Sequence, residues 1–421
     1  MGAAIERIEA KEIFAKRGLV GLQVTVETAD GARGVSTPES GVSTGKYEAK
    51  FLLDGGERYN GLGVRKAAAK VNDVIGPALV GMDVTDQAAL DYKMIEMDGT
   101  PDKSRLGANA IVGVSLAAIK AAAASSGLPL FRYIGGPDAR VLPIPIYGIG
   151  TGGRYRDPGR SRWFKPSYEF AAYGAGGYAD AVYWSWECAD EVKNLLRERY
   201  PEKYAPTYRS NSLAGVIAHD RELLEIMTEA IVRTGHEGEM GIYFDCAADV
   251  YYEPDIDRYV GIFSPGEKTR DELIALLQDF VENYPIVSLE DPLHEEDFEG
   301  HAMATEALGI EVVGDDLFTT NMERLQKGIE MGAANSMVLK ITQIGTVSEA
   351  LEACRLAKSN GYNVHPCGSR GDTRSIGDFA VGLNAGQVRA ADHNRLQEVE
   401  ETLGASALWM GKGAYKGWCH Q

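Results

Sequence analysis

Ile242-Tyr243-Phe244-Asp245, Ile286-Val287-Ser288-Leu289-Glu290, Glu311-Val312-Val313-Gly314-Asp315, Ser336-Met337-Val338-Leu339-Lys340 and Tyr362-Asn363-Val364-His365 are short apolar runs, and each ends on an ionisable residue. From the second run onward the ends fall at residues 290, 315, 340 and 365, a constant step of 25. One strand, a loop, a helix and a return loop take about that many residues. Residues 241–370 therefore predict successive βα units of a parallel barrel or open sheet, with the ionisable residues at one common end. In a barrel that end carries the loops of the pocket mouth, where chemistry collects.

Asp245, Glu290 and Asp315 at that end would bring three carboxylates into a small volume, where repulsion is costly unless a cation offsets it. An all-oxygen set suits Mg2+, which keeps positions for water and substrate oxygens. The alternative is that these acids cap the following helices, a role that Glu290-Asp291 before Pro292 and the pair Asp315-Asp316 also allow. Lys340 would end the next strand. Repulsion from the ion and partial burial predict a lowered pKa and a role as base; its plainer role is a salt bridge to one of the acids. A proton next to a carboxylate becomes removable when metal ions neutralise the enediolate that forms, so these residue types fit a proton abstraction α to a carboxylate.

Further out, the chain has 421 residues, 44% of them hydrophobic, enough for a large core and two or three domains. Its 43 basic and 61 acidic residues leave a net charge of -18, which argues against nucleic-acid and anionic-membrane partners and requires any anionic ligand to find a local basic pocket or bound cations. With no signal pattern at the N-terminus, a soluble cytoplasmic protein is expected. The five cysteines, Cys188, Cys246, Cys354, Cys367 and Cys419, lack the paired spacing of a zinc site or a disulfide framework, and reduced thiols are expected. Ile5–Val35 alternates between turn signals as an antiparallel strand set, and Val64–Ile75, Gln87–Met97 and Asn109–Ser126 have helical spacing. Residues 1–135 thus read as a small α+β domain. Gly135-Gly136-Pro137 breaks the chain, and residues 136–421 form the second domain. Gly148–Tyr178, rich in Gly, Arg and aromatics, predicts long surface loops.

Several of these motifs resemble the enolase family, over most of the chain. Ser40-Gly41-Val42-Ser43-Thr44-Gly45-Lys46-Tyr47-Glu48-Ala49 is similar to the family's mobile N-terminal loop, and Leu106-Gly107-Ala108-Asn109-Ala110-Ile111 to a motif of its cap. Asp245-Cys246-Ala247-Ala248, Ser288-Leu289-Glu290-Asp291-Pro292, Gly314-Asp315-Asp316-Leu317 and Leu339-Lys340-Ile341-Thr342-Gln343-Ile344-Gly345 resemble its metal-ligand and base motifs. The resemblance implies an α/β fold, an N-terminal α+β cap followed by a modified (βα)8 barrel, assembled as dimers or larger oligomers. It implies that Asp245, Glu290 and Asp315 bind a first Mg2+, that Lys340 is the base, and that Ser43 closes over a second Mg2+ that arrives with substrate.

Departures fall at positions of chemistry. The family's Gly-Asp-Glu-Gly-Gly loop, whose Glu assists the leaving hydroxyl, corresponds to Asn211-Ser212-Leu213-Ala214-Gly215-Val216, without an acid. Its Gly-Gly-Ser-His loop becomes Gly152-Gly153-Arg154-Tyr155, followed by Arg156, Arg160, Arg162 and Lys165. The segment that handles substrate phosphate reads Cys367-Gly368-Ser369-Arg370-Gly371-Asp372-Thr373, without its His, and the Lys expected after Gly386-Gln387-Val388 is Arg389. Glu169 in Tyr168-Glu169-Phe170 still matches. Candidates for the replacement acid are Tyr155, Glu169, His219 and His365, and His365 is alternatively a structural histidine. Ser43, Arg154, Ser369, Arg370 and Arg389 are the candidate substrate contacts; the Arg-rich loop suits a phosphate or phosphonate clamp, or is a solvated basic loop. The leading expectation is a Mg2+-dependent lyase acting on 2-phosphoglycerate or a close phosphorylated or phosphonylated analogue. The alternatives are an enzyme like carboxyphosphonoenolpyruvate synthase, and a non-catalytic paralogue that keeps the fold.

Overall fold

A computed structural model describes residues 3–15, 20–41, 45–153, 155, 165–204 and 211–417. The chain opens on an antiparallel meander, β1 (Ile5–Phe14), β2 (Val20–Thr28) and β3 (Arg33–Ser36). Alternation along β2 turns Leu22, Val24 and Val26 into the core. They meet the helix Ala108–Ser125, whose small residues let sheet and helix approach closely; a Cβ at Gly34 would lie 1.9 Å from the Ala117 carbonyl oxygen. The predicted helix over 87–97 is Gln87–Asp98, started by Asp86, which accepts from the Ala89 amide, and ended by Gly99 at φ 67°. The one predicted over 64–75 runs Arg65–Lys70 and continues through a wide turn, Val71–Ile75, to Leu79.

The second part is a closed barrel. Among the described residues its strands are β4 (Ile144–Thr151), β5 (Ser167–Ala171), β6 (Gly241–Asp245), β7 (Ile286–Glu290), β8 (Glu311–Gly314), β9 (Ser336–Leu339), β10 (Asn363–Pro366) and β11 (Gln387–Arg389). Their order around the sheet is β10-β9-β8-β7-β6-β5-β4-β11, and a parallel bridge between Cys367 and Arg389 closes the circle. All neighbours are parallel except at β5, which runs antiparallel to both β4 and β6. Inside the barrel Ile144, Ile146, Ala171, Tyr243, Val287, Val313 and Val338 pack as one apolar cluster, and a larger one fills the space between barrel and helices.

Gly148–Tyr178 departs from the loop expectation towards both ends, while residues 154 and 156–164 lie outside the described residues. Gly148–Thr151 completes β4, Ser167–Ala171 is β5, and Tyr178 opens the helix Tyr178–Arg199. The glycines sit at a register shift between Gly148 and Gly150, which lets a polar-looking segment pair as barrel strands. Helix Ala108–Ser125 is long and apolar enough to cross a membrane, but 83% of it is buried inside the protein. Its Ala110, Ile111 and Val114 belong to the cap's core and its Val112, Leu116 and Ile119 to the barrel's, which makes it the shared wall between them. Cys188, Cys246, Cys354 and Cys367 are buried free thiols; Cys419 lies outside the described residues.

Candidate active site

The regular strand ends meet at one rim. Asp245 and Glu290 close β6 and β7, in register, while Asp315 and Lys340 are the residues just past β8 and β9. Each of these four side chains is buried. Within this ring the acids divide into two groups, unlike the single expected triad. Oxygens of Glu290, Asp291 and Asp315 lie within 4.8 Å of one another. The Asp245 carboxylate turns instead to cations: its Oδ2 accepts from Arg389 at 2.9 Å and from the Lys165 ammonium.

Asp291 has a different task from its neighbours. Its backbone is left-handed, at φ 43°, and its carboxylate accepts the amides of Asp315 at 3.0 Å, Asp316 at 2.8 Å and Leu317. Both oxygens are thereby spent on shaping the turn after β8. This is a turn-shaping role and not the helix-capping alternative, since the helix that follows, Phe298–Leu308, is capped by Asp297. Burial and the charges of Asp316 and Asp315 push Asp291 well above the usual carboxylate range.

Arg389 ties the two groups together. One nitrogen donates to Asp245 at 2.9 Å and to Glu290 at 2.8 Å; another donates to the Ser167 hydroxyl at 2.9 Å and to Glu169 Oε1 at 2.7 Å. Its plane also lies over the Tyr243 ring. A lysine, with three donors on one atom, cannot reproduce these four hydrogen bonds from two separate nitrogens. The expected substrate contact is thus, in this structure, an organiser of acids. Burial works to raise the Glu290 pKa, but Arg389, then Lys165 and Lys340, outweigh it and hold the carboxyl low.

Lys340 donates to Asp315 Oδ2, while Gln343 donates to Oδ1 at 2.8 Å. Burial disfavours its charge, yet the Asp315 carboxylate outweighs burial and raises its pKa. The salt bridge weighed as its plainer role is present. Arg370 makes a bidentate ion pair with Glu48, and both side chains are about 95% buried. Glu48 also accepts from the Gly45 amide at 2.9 Å, so the pair fastens the cap loop to the barrel. Tyr47 adds to this, lying under the Arg324 guanidinium at 3.9 Å.

The candidate acids scatter. Glu169 faces the site from β5, on the same side as Asp245 and Tyr243. Tyr155 donates to Asp220 at 2.9 Å; Asp220 also accepts from Tyr168 at 2.7 Å and from the Gly153 amide at 2.7 Å. Burial and the Asp220 charge raise the Tyr155 phenol, which makes it an anchor of the loop base and a poor proton donor. His365 lies within β10, one residue before its end, and packs inside the barrel against the edge of Tyr243; burial drops its pKa to about 3, so it carries no imidazolium proton. His219 packs on Phe280 outside the barrel, with its Nδ1 capped by the Arg221 amide. Ser369 is exposed on a turn. Ser43 and Arg154 lie outside the described residues. Strand-end spacing missed Lys165, Asp291 and Glu48. Their signals were an acid directly after a strand-end Glu, and an acid and a lysine inside motifs read for other residues.

Comparison with known proteins agrees with this geometry. The family model "Enolase, N-terminal domain" matches residues 5–134, and "Enolase, C-terminal TIM barrel domain" matches residues 139–417. The chain is 43% identical to the enolase of Methanopyrus kandleri, covering 96% of this chain and 97% of that one. It is 41% identical to the enolase of Methanocaldococcus jannaschii, with 96% of each covered, and 41% identical to that of Acidothermus cellulolyticus, with 98% of each covered. With both domain models matched in order and relatives alike from end to end, the chain belongs to the enolase family and is a carbon–oxygen lyase of that superfamily.

Proposed function

We propose that this protein is a Mg2+-dependent lyase that removes the proton α to a carboxylate and eliminates a β substituent, acting on 2-phosphoglycerate or a close phosphorylated or phosphonylated analogue to give an enolpyruvate. The observation that carries the reading is Lys340 on Asp315, with Glu290 one strand further, at the ends of three adjacent strands. A carboxylate-only donor set suits a hard divalent ion, and the reading assigns Glu290, Asp315 and Asp245, the acids at the ends of three adjacent strands, to it. Bound there, Mg2+ would neutralise charge that develops on the substrate carboxylate. A second ion near Ser43 belongs to the same proposal. Lys340 holds the proton-accepting position, and release from Asp315 Oδ2 would remove the partner that raises its pKa. Arg389 fixes the orientation of Glu290, Asp245 and Glu169. We further propose that residues 136–421 are the catalytic unit, capped by residues 1–135.

Incubation with 2-phosphoglycerate and Mg2+, followed through phosphoenolpyruvate formation, tests the reading. Solvent deuterium should also enter the α carbon in the wild type and not in Lys340→Ala. Absence of both signals in the folded wild type would remove the proposal.

A further inference from the structure

At the end of the barrel away from Lys340, four consecutive strands open on polar residues: Glu311, Ser336, Asn363 and Gln387 begin β8, β9, β10 and β11. Strand alternation turns them inward. Val313 and Val338, two places beyond Glu311 and Ser336, belong to the apolar cluster inside the barrel, and His365 and Arg389 stand in the same relation to Asn363 and Gln387. Ala414 and Tyr415 join that inner cluster from the C-terminal segment. The Ala414 carbonyl accepts from Asn363 Nδ2 at 2.8 Å and from Gln387 Nε2 at 2.9 Å, which closes the floor.

Glu311 is the charged member of this layer. It is 0% exposed and accepts from Ser288 Oγ at 3.2 Å, from Asn363 Nδ2 and from Gln387 Nε2 at 2.9 Å, but among the described residues no lysine, arginine or histidine side chain forms an ion pair with it. Burial pushes its carboxyl above the usual range, a sign that the charge lacks an opposite one. Two oxygens beside it, Ser336 Oγ and Gln387 Oε1, are buried without a hydrogen-bond partner among the described residues, in side chains 0% and 1% exposed. The Gln387 amide lies against the carboxylate through Nε2, so its Oε1 belongs to the same cluster. Buried oxygens and charges of this kind require partners.

A water molecule would serve the bare oxygens and leave the charge, whereas a proton on Glu311 would remove the charge and leave the oxygens. A divalent ion would leave net positive charge in an apolar interior. A monovalent cation meets both needs, with one charge against one carboxylate and hard oxygen donors around it. Because the floor is closed to solvent, the ion must exchange its water shell for protein oxygens, which favours the weakly hydrated K+. We propose that the barrel floor is a K+ site, held by Glu311, Ser336 Oγ and Gln387 Oε1. It lies apart from the chemistry of the mouth and fastens the strand starts to the C-terminal segment that Gln387 holds.

The test melts wild type, Glu311→Gln and Ser336→Ala in EDTA, which strips divalent ions from the mouth, while KCl replaces choline chloride at constant ionic strength. Unfolding releases the ion, so the wild-type Tm should rise along a saturating curve by about 2 °C or more. Glu311→Gln, which keeps the shape and drops the charge, should give a flat Tm, and Ser336→Ala should need severalfold more KCl to reach its midpoint. A wild-type Tm indifferent to KCl, or an equal rise in wild type and Glu311→Gln, would overturn the site. In wild-type crystals soaked with Tl+, a cation of the size of K+, the anomalous signal should peak beside Glu311; a map without that peak would overturn it as well, and this map decides alone if Glu311→Gln does not fold.

Discussion

The two halves of the barrel mouth are wired on different plans. From β6 to β9 each parallel strand delivers one ionisable residue at its end: Asp245, Glu290, Asp315 and Lys340. On the side of β11, β4 and β5, one guanidinium, Arg389, crosses the rim to gather Asp245, Glu290 and Glu169, and Lys165 enters from the start of a reversed strand. The first half works by repetition, so its parts are separable. The second works through a shared centre, and a change at that centre reaches every partner.

Breaking the first half should have the largest effect. Lys340→Ala should lower turnover by about 1,000-fold and abolish α-deuterium exchange while the fold persists, as checked by circular dichroism. Next is the cap-to-barrel fastening: Arg370→Ala leaves Glu48 buried without its cation and should cost about 3–5 kcal/mol in urea denaturation. Burial opposes the Glu48 charge, but Arg370 outweighs it and holds the folded pKa below 4.5. The wild-type advantage over Arg370→Ala is therefore present above that pH and fades as the pH falls through the folded value. In the second half, Arg389→Lys should lose about 1–3 kcal/mol, because three donors on one atom cannot reproduce four hydrogen bonds from two nitrogens; unchanged stability would mean that the guanidinium is not the shared centre. The smallest effect concerns Asp220 at the loop base. Burial raises its pKa to about 6, against 3.8 in the unfolded chain, so the folded state binds more protons between these values. Relative to Asp220→Asn, the wild type should gain stability as the pH falls from 7 to 5; a constant difference would refute the raised value.

The same contrast explains what was readable. Parallel strands buried on both faces appear as apolar runs, and their even step set Ile286–Glu290 exactly where β7 lies. The strand just before residue 340 and the one near 365 shifted by a single residue at their ends. β5 was hidden because a strand flanked by glycines and arginines, paired antiparallel, has the composition of a loop. Arg370 and Glu48 are separated by 322 positions, and no local pattern announces such a pair. Asp291 was read only as a possible helix cap, whereas it shapes the turn after β8 and Asp297 caps the helix that follows. Which of two adjacent acids would turn to the amides depends on the left-handed backbone at that residue, a property of the folded turn.

The helix Ala108–Ser125 has a practical consequence. Because opposite sides of one rod complete two separate interiors, neither portion of the chain can be cut away cleanly. A barrel expressed from residue 136 onward would present Val347 and the strand-backing helices to solvent where that rod had lain, and should precipitate or require detergent. Heating the intact protein should accordingly melt both portions in a single calorimetric peak.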